Sequence, residues 1–264
     1  GKEHETSFNE EAAVIKTLGG SLLFSSGEAT FSSIDLINKE FKSSGYQQIQ
    51  LSESYLKRHK IFKKKLLNTV SSLNKIKVCV IGDLIIDEYI SCNALGMSQE
   101  EPTLVVTPID SKKFVGGAGI VAAHAAGCGA NVKLISVVGK DELAVYANQS
   151  LKMMGVESFF FEDERRPTTL KQRYRSGGKS LLRISKLHQD PVSSAIEKKI
   201  FTKIKKILEK SNLLIFSDFN YGCLTDSLVE KITKLCKKNN IFIAADCQSS
   251  SQIGDISKFK DVDL

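Results

Sequence analysis

The sequence lacks several features that would assign a function at once. None of its 264 residues is tryptophan, and aromatic residues do not interleave with basic ones. It has no uninterrupted run of 18 apolar residues, so we predict no membrane span. No C-x-x-C pair occurs, which argues against a structural zinc site, and we predict no metal ligands. The absence of G-x-x-x-x-G-K-[ST] excludes a Walker-type phosphate loop.

The start of the chain also lacks an apolar segment. The first residues, GKEHETSFNEE, do not resemble a secretory signal, and they do not begin with methionine. We therefore expect the chain to start inside a longer parent protein. Most of the cysteines lie in apolar runs, which indicates buried free thiols in a reducing compartment and predicts a cytoplasmic protein. The six are Cys79, Cys92, Cys128, Cys223, Cys236 and Cys247.

The chain carries a net charge of +7 and has a pI near 9.0. Its lysines concentrate in segments such as EKKIFTKIKKILEK, where they alternate with an apolar stripe at helical spacing. This pattern favours solvated helix faces over a nucleic-acid surface. We expect neither nucleic acid nor a membrane as a partner.

Beyond residue 75, apolar strands alternate with helical segments. The strands at 77–83, 131–139, 213–218 and 241–246 are almost continuously apolar, and helices are predicted at 193–210 and 224–238. This order is typical of an α/β fold with a parallel sheet covered by helices on both faces. Short strands, YISC and TLVVTPID, and a hairpin around Gly177 and Gly178 fit that sheet poorly. They predict a small β-layer that stands off the main sheet as a lid.

Three predicted strands end in aspartate, at Asp83, Asp218 and Asp246, and Asp87 follows Asp83 by four residues. In open α/β sheets, ligands bind beyond the carboxyl ends of the strands. Carboxylates at these ends suit hydroxyl-rich ligands, because they accept hydrogen bonds from neighbouring hydroxyl groups. A single aspartate there also fits a helix cap or a turn.

The segment FVGGAGIVAAHAAGCGA places Gly116 and Gly117 at the start of a predicted helix. It is not a dinucleotide-binding fingerprint, because it follows the β-layer and not the first strand of the sheet. The glycines allow backbone N–H groups to approach a ligand closely. Close packing of the helix on the sheet explains the same residues, and both interpretations stay open.

Six motifs in order give the chain a family resemblance. They are GDLIID, EEPTLVV, GGAG, PTTLKQR, LLRIS and FSDFNYG, within residues 75–264. The set resembles the ribokinase-like (PfkB) carbohydrate kinases, and most of all the heptose-7-phosphate kinase half of bifunctional ADP-heptose synthesis proteins. The resemblance implies ATP-dependent phosphorylation, with Mg²⁺, of a sugar or sugar phosphate in nucleotide-sugar precursor synthesis. It also implies a homodimer formed through the β-lid.

The resemblance assigns roles to individual residues. Asp87 would bind sugar hydroxyls, Gly116 and Gly117 would place backbone amides against the sugar, and a basic set on the hairpin would bind a substrate phosphate. Ordinary surface charge explains the basic set equally well. The candidate substrate-binding residues are Asp83, Asp87, Gly116, Gly117, Lys171, Arg173, Arg183, Asp218 and Asp246.

The chain departs from this family at two points. Ile120 replaces an asparagine, and His124 one helical turn later could compensate for it. No Gly-Ala-Gly-Asp motif, which carries the family's general base, occurs in the sequence. We therefore expect a domain cut before its C-terminal third, with no catalytic residue of its own, and with ATP and Mg²⁺ bound only in the complete parent protein.

The segment LGGSLLFSSGEATFSSIDLINKEF resembles the last strand and helix of a cytidylyltransferase-like nucleotidyltransferase, although a His-x-Gly-His motif is absent. Ser32 and Ser33 would then contact nucleotide phosphates. The predicted domains are this C-terminal remnant at 1–43, a helical linker at 44–74, and the first two-thirds of a sugar kinase domain at 75–264.

Two other functions remain open. A non-catalytic sugar-binding or scaffolding module would keep the fold without the missing base. A nucleoside kinase of the same fold is less favoured, because a neutral nucleoside does not require Lys171, Arg173 and Arg183.

Overall fold

The computed structural model describes residues 14, 15, 17, 18, 53–248 and 254–264. Ser32, Ser33 and nearly all of the predicted nucleotidyltransferase remnant lie outside these residues. Contacts divide the chain into two units, 1–61 and 62–264, and each is described by itself. The described part of the first unit includes helix α1 (Glu53–Arg58). The second begins with α2 (Lys63–Ser72) and a 3₁₀ turn (Leu73–Lys75), within the range predicted to be a helical linker.

A parallel sheet forms the centre of the second unit. Among the described residues it has five strands in the order β5-β4-β1-β8-β9, all paired in parallel. The strands are β1 (Lys77–Gly82), β4 (Asn131–Val138), β5 (Val156–Glu162), β8 (Leu213–Asp218) and β9 (Phe242–Cys247). Helices α3 (Ala118–Gly127), α4 (Glu142–Met153), α5 (Ser194–Leu208) and α6 (Asp226–Lys238) alternate with them.

Helices cover both faces of this sheet, as the sequence predicts. Side chains of a strand alternate between faces, and β1 shows this directly. Cys79 and Ile81 enter the apolar cluster that includes α5 and α6. Val78 and Val80 enter the cluster on the other face, with α3 and α4. Burial on both faces explains why these strands are almost continuously apolar.

The helices start where the sequence provides caps. The Ser193 hydroxyl accepts a hydrogen bond from the Ile196 N–H at the start of α5, and Thr225 accepts one from Leu228 at the start of α6. Each such cap stabilises its helix by about 1 kcal/mol. The helices predicted at 193–210 and 224–238 are thus confirmed to within two residues at each end.

The predicted lid is a second sheet, with strand order β3-β2-β6-β7. It consists of β2 (Leu84–Met97), β3 (Leu104–Gly117), β6 (Leu170–Ser176) and β7 (Lys179–Lys186). The pairs β2–β3 and β6–β7 are antiparallel, whereas β2 and β6 are parallel. Gly177 and Gly178 both have positive φ and form the predicted hairpin turn between β6 and β7.

The short strands YISC and TLVVTPID are wrong in length, because each belongs to a strand of 14 residues. The outer halves of β2 and β3 are exposed, so hydrophobic alternation gives no signal there. Backbone pairing continues regardless of the side chains, across register shifts at Ser91/Cys92 and Ala94/Gly96.

The lid joins the main sheet at the carboxyl ends of the strands. Asp83 alone separates β1 from β2, and β3 ends at Gly117, directly before α3. Gly117 has φ +57°, and a side chain there would overlap the Asp83 carbonyl oxygen. That oxygen accepts a hydrogen bond of 2.9 Å from the Ala118 N–H. The lid therefore adjoins the edge of the sheet where ligands are expected.

The cysteines are free thiols, and most of them are buried, as their positions in apolar runs predict. All six cysteines, which lie within the described range, are free; Cys79, Cys92, Cys223 and Cys236 are buried. Burial raises the pKa of the Cys236 thiol to about 12, so that this group is unreactive at neutral pH. Among the described helices, none has the length and apolar character needed to cross a membrane.

Candidate functional site

A groove of about 630 Å³ lies on one face of the lid. Its lining includes Asp87, Tyr89, Phe114, Ile120 and Arg175. Asp87 and Tyr89 share a face of β2, because they are two residues apart in a strand. The groove thus combines a carboxylate and a guanidinium with aromatic rings, which suits a ligand that has both hydroxyl groups and apolar C–H faces.

Asp87 is the best-defined polar group of this groove. Its carboxylate forms an ion pair with the Arg173 guanidinium. It also lies against Gly116, where any side chain would overlap the Asp87 carboxylate. Lys171 is opposite Asp87 in the β2–β6 register. The structure therefore brings Asp87, Gly116 and Arg173 into contact and places Lys171 beside Asp87 on the neighbouring strand. Their binding of a substrate stays a prediction.

Lys171 lies where the lid meets the main sheet. Its ammonium is 5.7 Å from the ring centre of Phe219 and 5.2 Å from that of Tyr221, residues that follow β8. The two rings stack at 6.4 Å with an interplanar angle of 22°. This cation–π arrangement fixes a positive charge where the lid meets the main sheet. Arg183 pairs with Arg173 across the hairpin, and its side chain is exposed.

Asp83 is buried, and its carboxylate is used within the protein. It accepts backbone hydrogen bonds from Phe219 (2.9 Å), Tyr221 (3.1 Å) and Cys223 (3.2 Å). Burial raises the pKa of Asp83 to about 6, against the lowering effect of these donors. The geometry supports a role in organising the turn after β8, and direct contact with substrate stays a prediction.

Asp218 and Asp246 lie at the carboxyl edge of the sheet, on neighbouring strands. Asp218 is buried, and it accepts a hydrogen bond from the Asn220 N–H and pairs with the Lys258 ammonium at 2.6 Å. Asp246 is exposed and accepts a hydrogen bond of 2.9 Å from the Gln248 side chain. Neither lines the groove on the lid.

The sequence matches the pfkB family of carbohydrate kinases over residues 75–262. The chain belongs to this family. Its lid and parallel sheet are therefore the domain that carries the family signature, and the match includes every described residue of the candidate site.

The curated relatives include bifunctional proteins named HldE. The one from Helicobacter hepaticus is 32% identical over 171 residues, and the one from Geobacter metallireducens is 30% identical over 190. The matches cover 64% and 72% of this chain but only 36% and 38% of the relatives. The matched segment thus spans well under half the length of these proteins.

Solved structures agree on the fold. A ribokinase from Arabidopsis thaliana, complexed with ribose and ATP, superposes with a TM-score of 0.50 at 15% identity and covers 67% of this chain and 54% of its own. A putative phosphofructokinase from Staphylococcus aureus gives 0.51 at 14% identity, with 64% and 52% covered. The likeness shows that the pfkB chain has the ribokinase-like fold, as predicted.

Sequence reasoning missed most of the groove lining, including Tyr89, Phe114 and Arg175. The Arg173 guanidinium lies 5.1 Å from the Tyr89 ring centre, and that of Arg175 lies 5.9 Å from it. Alternate residues of a strand share a face, so Asp87 points to Tyr89 and Arg173 points to Arg175 once the strand lengths are known. Ile120 lines the groove, whereas His124, one turn later, is exposed.

In the described part of the pfkB chain, no cluster of three or more His, Cys, Asp or Glu side chains could hold a metal ion. ATP and Mg²⁺ are implied by the family, and they supply the transferable phosphoryl group and its charge neutralisation. The described groove combines a carboxylate with several cations, which suits a ligand that has both hydroxyl and anionic groups.

Proposed function

We propose that this chain forms the sugar-binding part of a kinase that phosphorylates a sugar phosphate resembling heptose 7-phosphate, in nucleotide-sugar precursor synthesis. The observation that carries the proposal is the Asp87 carboxylate, held by Arg173 and Gly116 beside a groove with aromatic walls. The similarity to the HldE proteins supports the choice of sugar.

In this proposal, Asp87 accepts hydrogen bonds from sugar hydroxyls, and the Gly116 and Gly117 turn lets backbone approach the ring. Lys171, Arg173 and Arg183 attract the substrate phosphate, because guanidinium and ammonium groups bind phosphate oxygens strongly. Asp218 and Asp246 face the side from which the complete protein, with ATP and Mg²⁺, delivers the phosphoryl group. Ser32 and Ser33 are proposed to contact a nucleotide.

A second candidate function is sugar binding without phosphoryl transfer. The sequence contains no Gly-Ala-Gly-Asp, so it offers no match to the family's general base. We propose that the 264-residue chain by itself binds sugar phosphate and transfers little or no phosphoryl group. Steady transfer of phosphate from ATP–Mg²⁺ to heptose 7-phosphate by the purified chain would contradict this part of the proposal.

The test of sugar binding is calorimetric titration of the chain with heptose 7-phosphate and with unphosphorylated heptose. We expect Asp87→Asn to weaken both by roughly tenfold or more, because a charged acceptor of hydroxyl groups is lost. The control is Asp261→Asn, since Asp261 is an exposed aspartate that does not line the groove. Equal losses in both variants, or no binding by the unaltered chain, would refute the assignment.

We also propose that the chain forms a homodimer through its lid. Leu95, Met97 and Ile109, in the outer halves of β2 and β3, are 67%, 63% and 63% exposed. Large apolar side chains grouped on one exposed ribbon are typical of an interaction surface.

A further inference from the structure

We propose that Arg166 is a positioning residue: it holds residues 219–223, here called the β8 turn, and through them the ammonium of Lys171. This inference rests on the proposed function, because it assigns Lys171 to the anionic group of the substrate. Arg166 precedes Pro167 of the PTTLKQR motif and was not among the residues that the sequence predicts.

Arg166 lies deep in the protein, at the point where the chain passes from β5 to the lid. Its side chain is 5% exposed, and that of its partner Asp163 is 4% exposed. The Arg166 Nε donates to the Asp163 carboxylate at 3.1 Å. Its two terminal nitrogens donate to backbone carbonyls, Nη1 to Tyr221 at 2.8 Å and Nη2 to Asp190 at 2.9 Å. One guanidinium thus connects three separate segments of the chain.

The β8 turn is held from the opposite side by Asp83. While Arg166 occupies the Tyr221 carbonyl, the Asp83 carboxylate receives the N–H groups of Phe219, Tyr221 and Cys223. The backbone N–H groups of the turn therefore face the Asp83 carboxylate, and its central carbonyl, that of Tyr221, faces the Arg166 guanidinium. A turn fixed in this way presents its side chains in one orientation.

Gly222 shows how closely the β8 turn fits. It has φ +83°, and a side chain there would overlap the Asp190 carbonyl oxygen. The same oxygen accepts a hydrogen bond from the Arg166 guanidinium. The Gly222 carbonyl in turn accepts from the Val192 N–H at 3.0 Å. The turn is packed against the segment that leaves the lid, so Arg166 holds both sides of this contact.

The effect of Arg166 reaches Lys171 through two aromatic rings. Phe219 and Tyr221 belong to the β8 turn, and the Lys171 ammonium lies over both rings. If the Tyr221 carbonyl loses the Arg166 donor, the rings of Phe219 and Tyr221 lose their fixed orientation. The Lys171 ammonium then loses the cation–π contacts that hold it in place. Binding of an anionic substrate group then weakens, whereas binding of neutral hydroxyl groups at Asp87 is preserved.

An arginine is required here because its planar fork donates in three directions at once. A lysine has a single ammonium at the end of a flexible chain, and it cannot reach two carbonyls and a carboxylate in this geometry. We therefore expect Arg166→Lys to keep the charge and lose the positioning.

The experiment compares Arg166→Lys and Arg166→Met with Arg165→Met. Arg165 is a matched control, since it pairs with the same Asp163 carboxylate at 2.9 Å but is 59% exposed. We expect affinity for heptose 7-phosphate to fall roughly tenfold in both Arg166 variants, with less than about a threefold change for unphosphorylated heptose. Amide hydrogen exchange should accelerate at Phe219, Tyr221 and Cys223. Arg165→Met should change none of these.

A double-mutant cycle separates positioning from a general loss of structure. In a Lys171→Met background, Arg166→Lys should cause almost no further loss of heptose 7-phosphate affinity, because the group that it positions is already gone. Additive losses would overturn the proposal, as would an Arg166→Lys protein with unchanged affinity and exchange. If Arg166→Met does not fold, the double-mutant cycle with Arg166→Lys still tests whether Arg166 acts through Lys171.

The outcomes also separate this inference from the proposed function. If the unaltered chain binds neither sugar, the proposed function fails, and the exchange rates still test whether Arg166 holds the β8 turn. If the unaltered chain binds both sugars and Arg166→Lys weakens them equally, the proposed function stands and the link to Lys171 is wrong.

Discussion

At the scale of single residues, two buried carboxylates show opposite effects of their surroundings. Hydrogen bonds from Arg165, together with the Arg166 guanidinium, hold the pKa of Asp163 well below its ordinary value. Burial dominates at Asp83 and raises its pKa to about 6. A pKa difference between the folded and the unfolded chain makes stability depend on pH. The contribution of Asp163 to stability therefore falls as the pH is lowered, whereas that of Asp83 rises.

Asp163→Asn should destabilise the chain by about 3 kcal/mol near neutral pH, because it leaves the Arg166 guanidinium buried without its carboxylate. The depressed pKa of Asp163 means that its contribution is present above the ordinary value of 3.8 and is lost as the pH falls below it. Urea unfolding should therefore show a smaller difference in unfolding free energy between the unaltered chain and Asp163→Asn at about pH 3 than at neutral pH. A gap that is independent of pH would contradict this prediction.

Asp83→Asn has the opposite pH signature. The raised pKa means that the folded chain binds a proton more readily than the unfolded chain, so the contribution of Asp83 improves as the pH falls from about 6 toward 3.8. We expect the variant to be less stable by about 1–3 kcal/mol near neutral pH, because an amide N–H₂ would face backbone N–H donors. The deficit should grow at lower pH in unfolding titrations. Asp261→Asn, at an exposed position, is the control.

At the scale of elements, the turn between β3 and α3 connects the lid to the sheet. Gly116 and Gly117 lie side by side there but meet different obstacles: the Asp87 carboxylate at the first and the Asp83 carbonyl at the second. Only Gly117 has a positive φ. The two glycines should therefore respond differently to the same substitution.

Gly116→Ala should displace the Asp87 carboxylate and weaken heptose 7-phosphate binding by roughly tenfold or more, with most of the stability retained. Gly117→Ala should instead cost about 1–3 kcal/mol of stability, because a left-handed backbone and a backbone overlap both oppose a side chain. Titration calorimetry and thermal unfolding separate the two effects. Gly127→Ala, at the end of α3 with open space around it, should change neither measurement.

The elements of the main sheet were predictable, because apolar strands and capped helices leave local patterns in the sequence. The outer halves of β2 and β3 were not, since their side chains are exposed and only backbone pairing extends them. Asp87, Gly116, Lys171 and Arg173 were proposed as site residues from the resemblance of their motifs, and this assignment stays a prediction. Arg166 was not found in this way, because it lies just outside the PTTLKQR motif and its carbonyl partners, 24 and 55 positions away, leave no local pattern in the sequence.

At the scale of the whole molecule, the exposed ribbon of the lid predicts assembly. Leu95→Lys combined with Met97→Lys should convert the proposed dimer to a monomer, because it places charges in an apolar interface. Light scattering after size-exclusion chromatography measures the mass directly. Met153→Lys is the control, as Met153 is 83% exposed at the end of α4. A chain that is monomeric before any substitution would refute the dimer.

The parallel pairing of β2 with β6 has a consequence for how the chain folds. The Asp87–Arg173 pair connects residues that are 86 positions apart, with β3, α3, β4, α4 and β5 between them. Contacts of such long sequence separation form late, since the intervening chain must first be closed into a loop. During this interval the β2–β3 hairpin exposes the edge of β2 that later pairs with β6, together with the apolar ribbon. Misassembly between chains would begin at these surfaces.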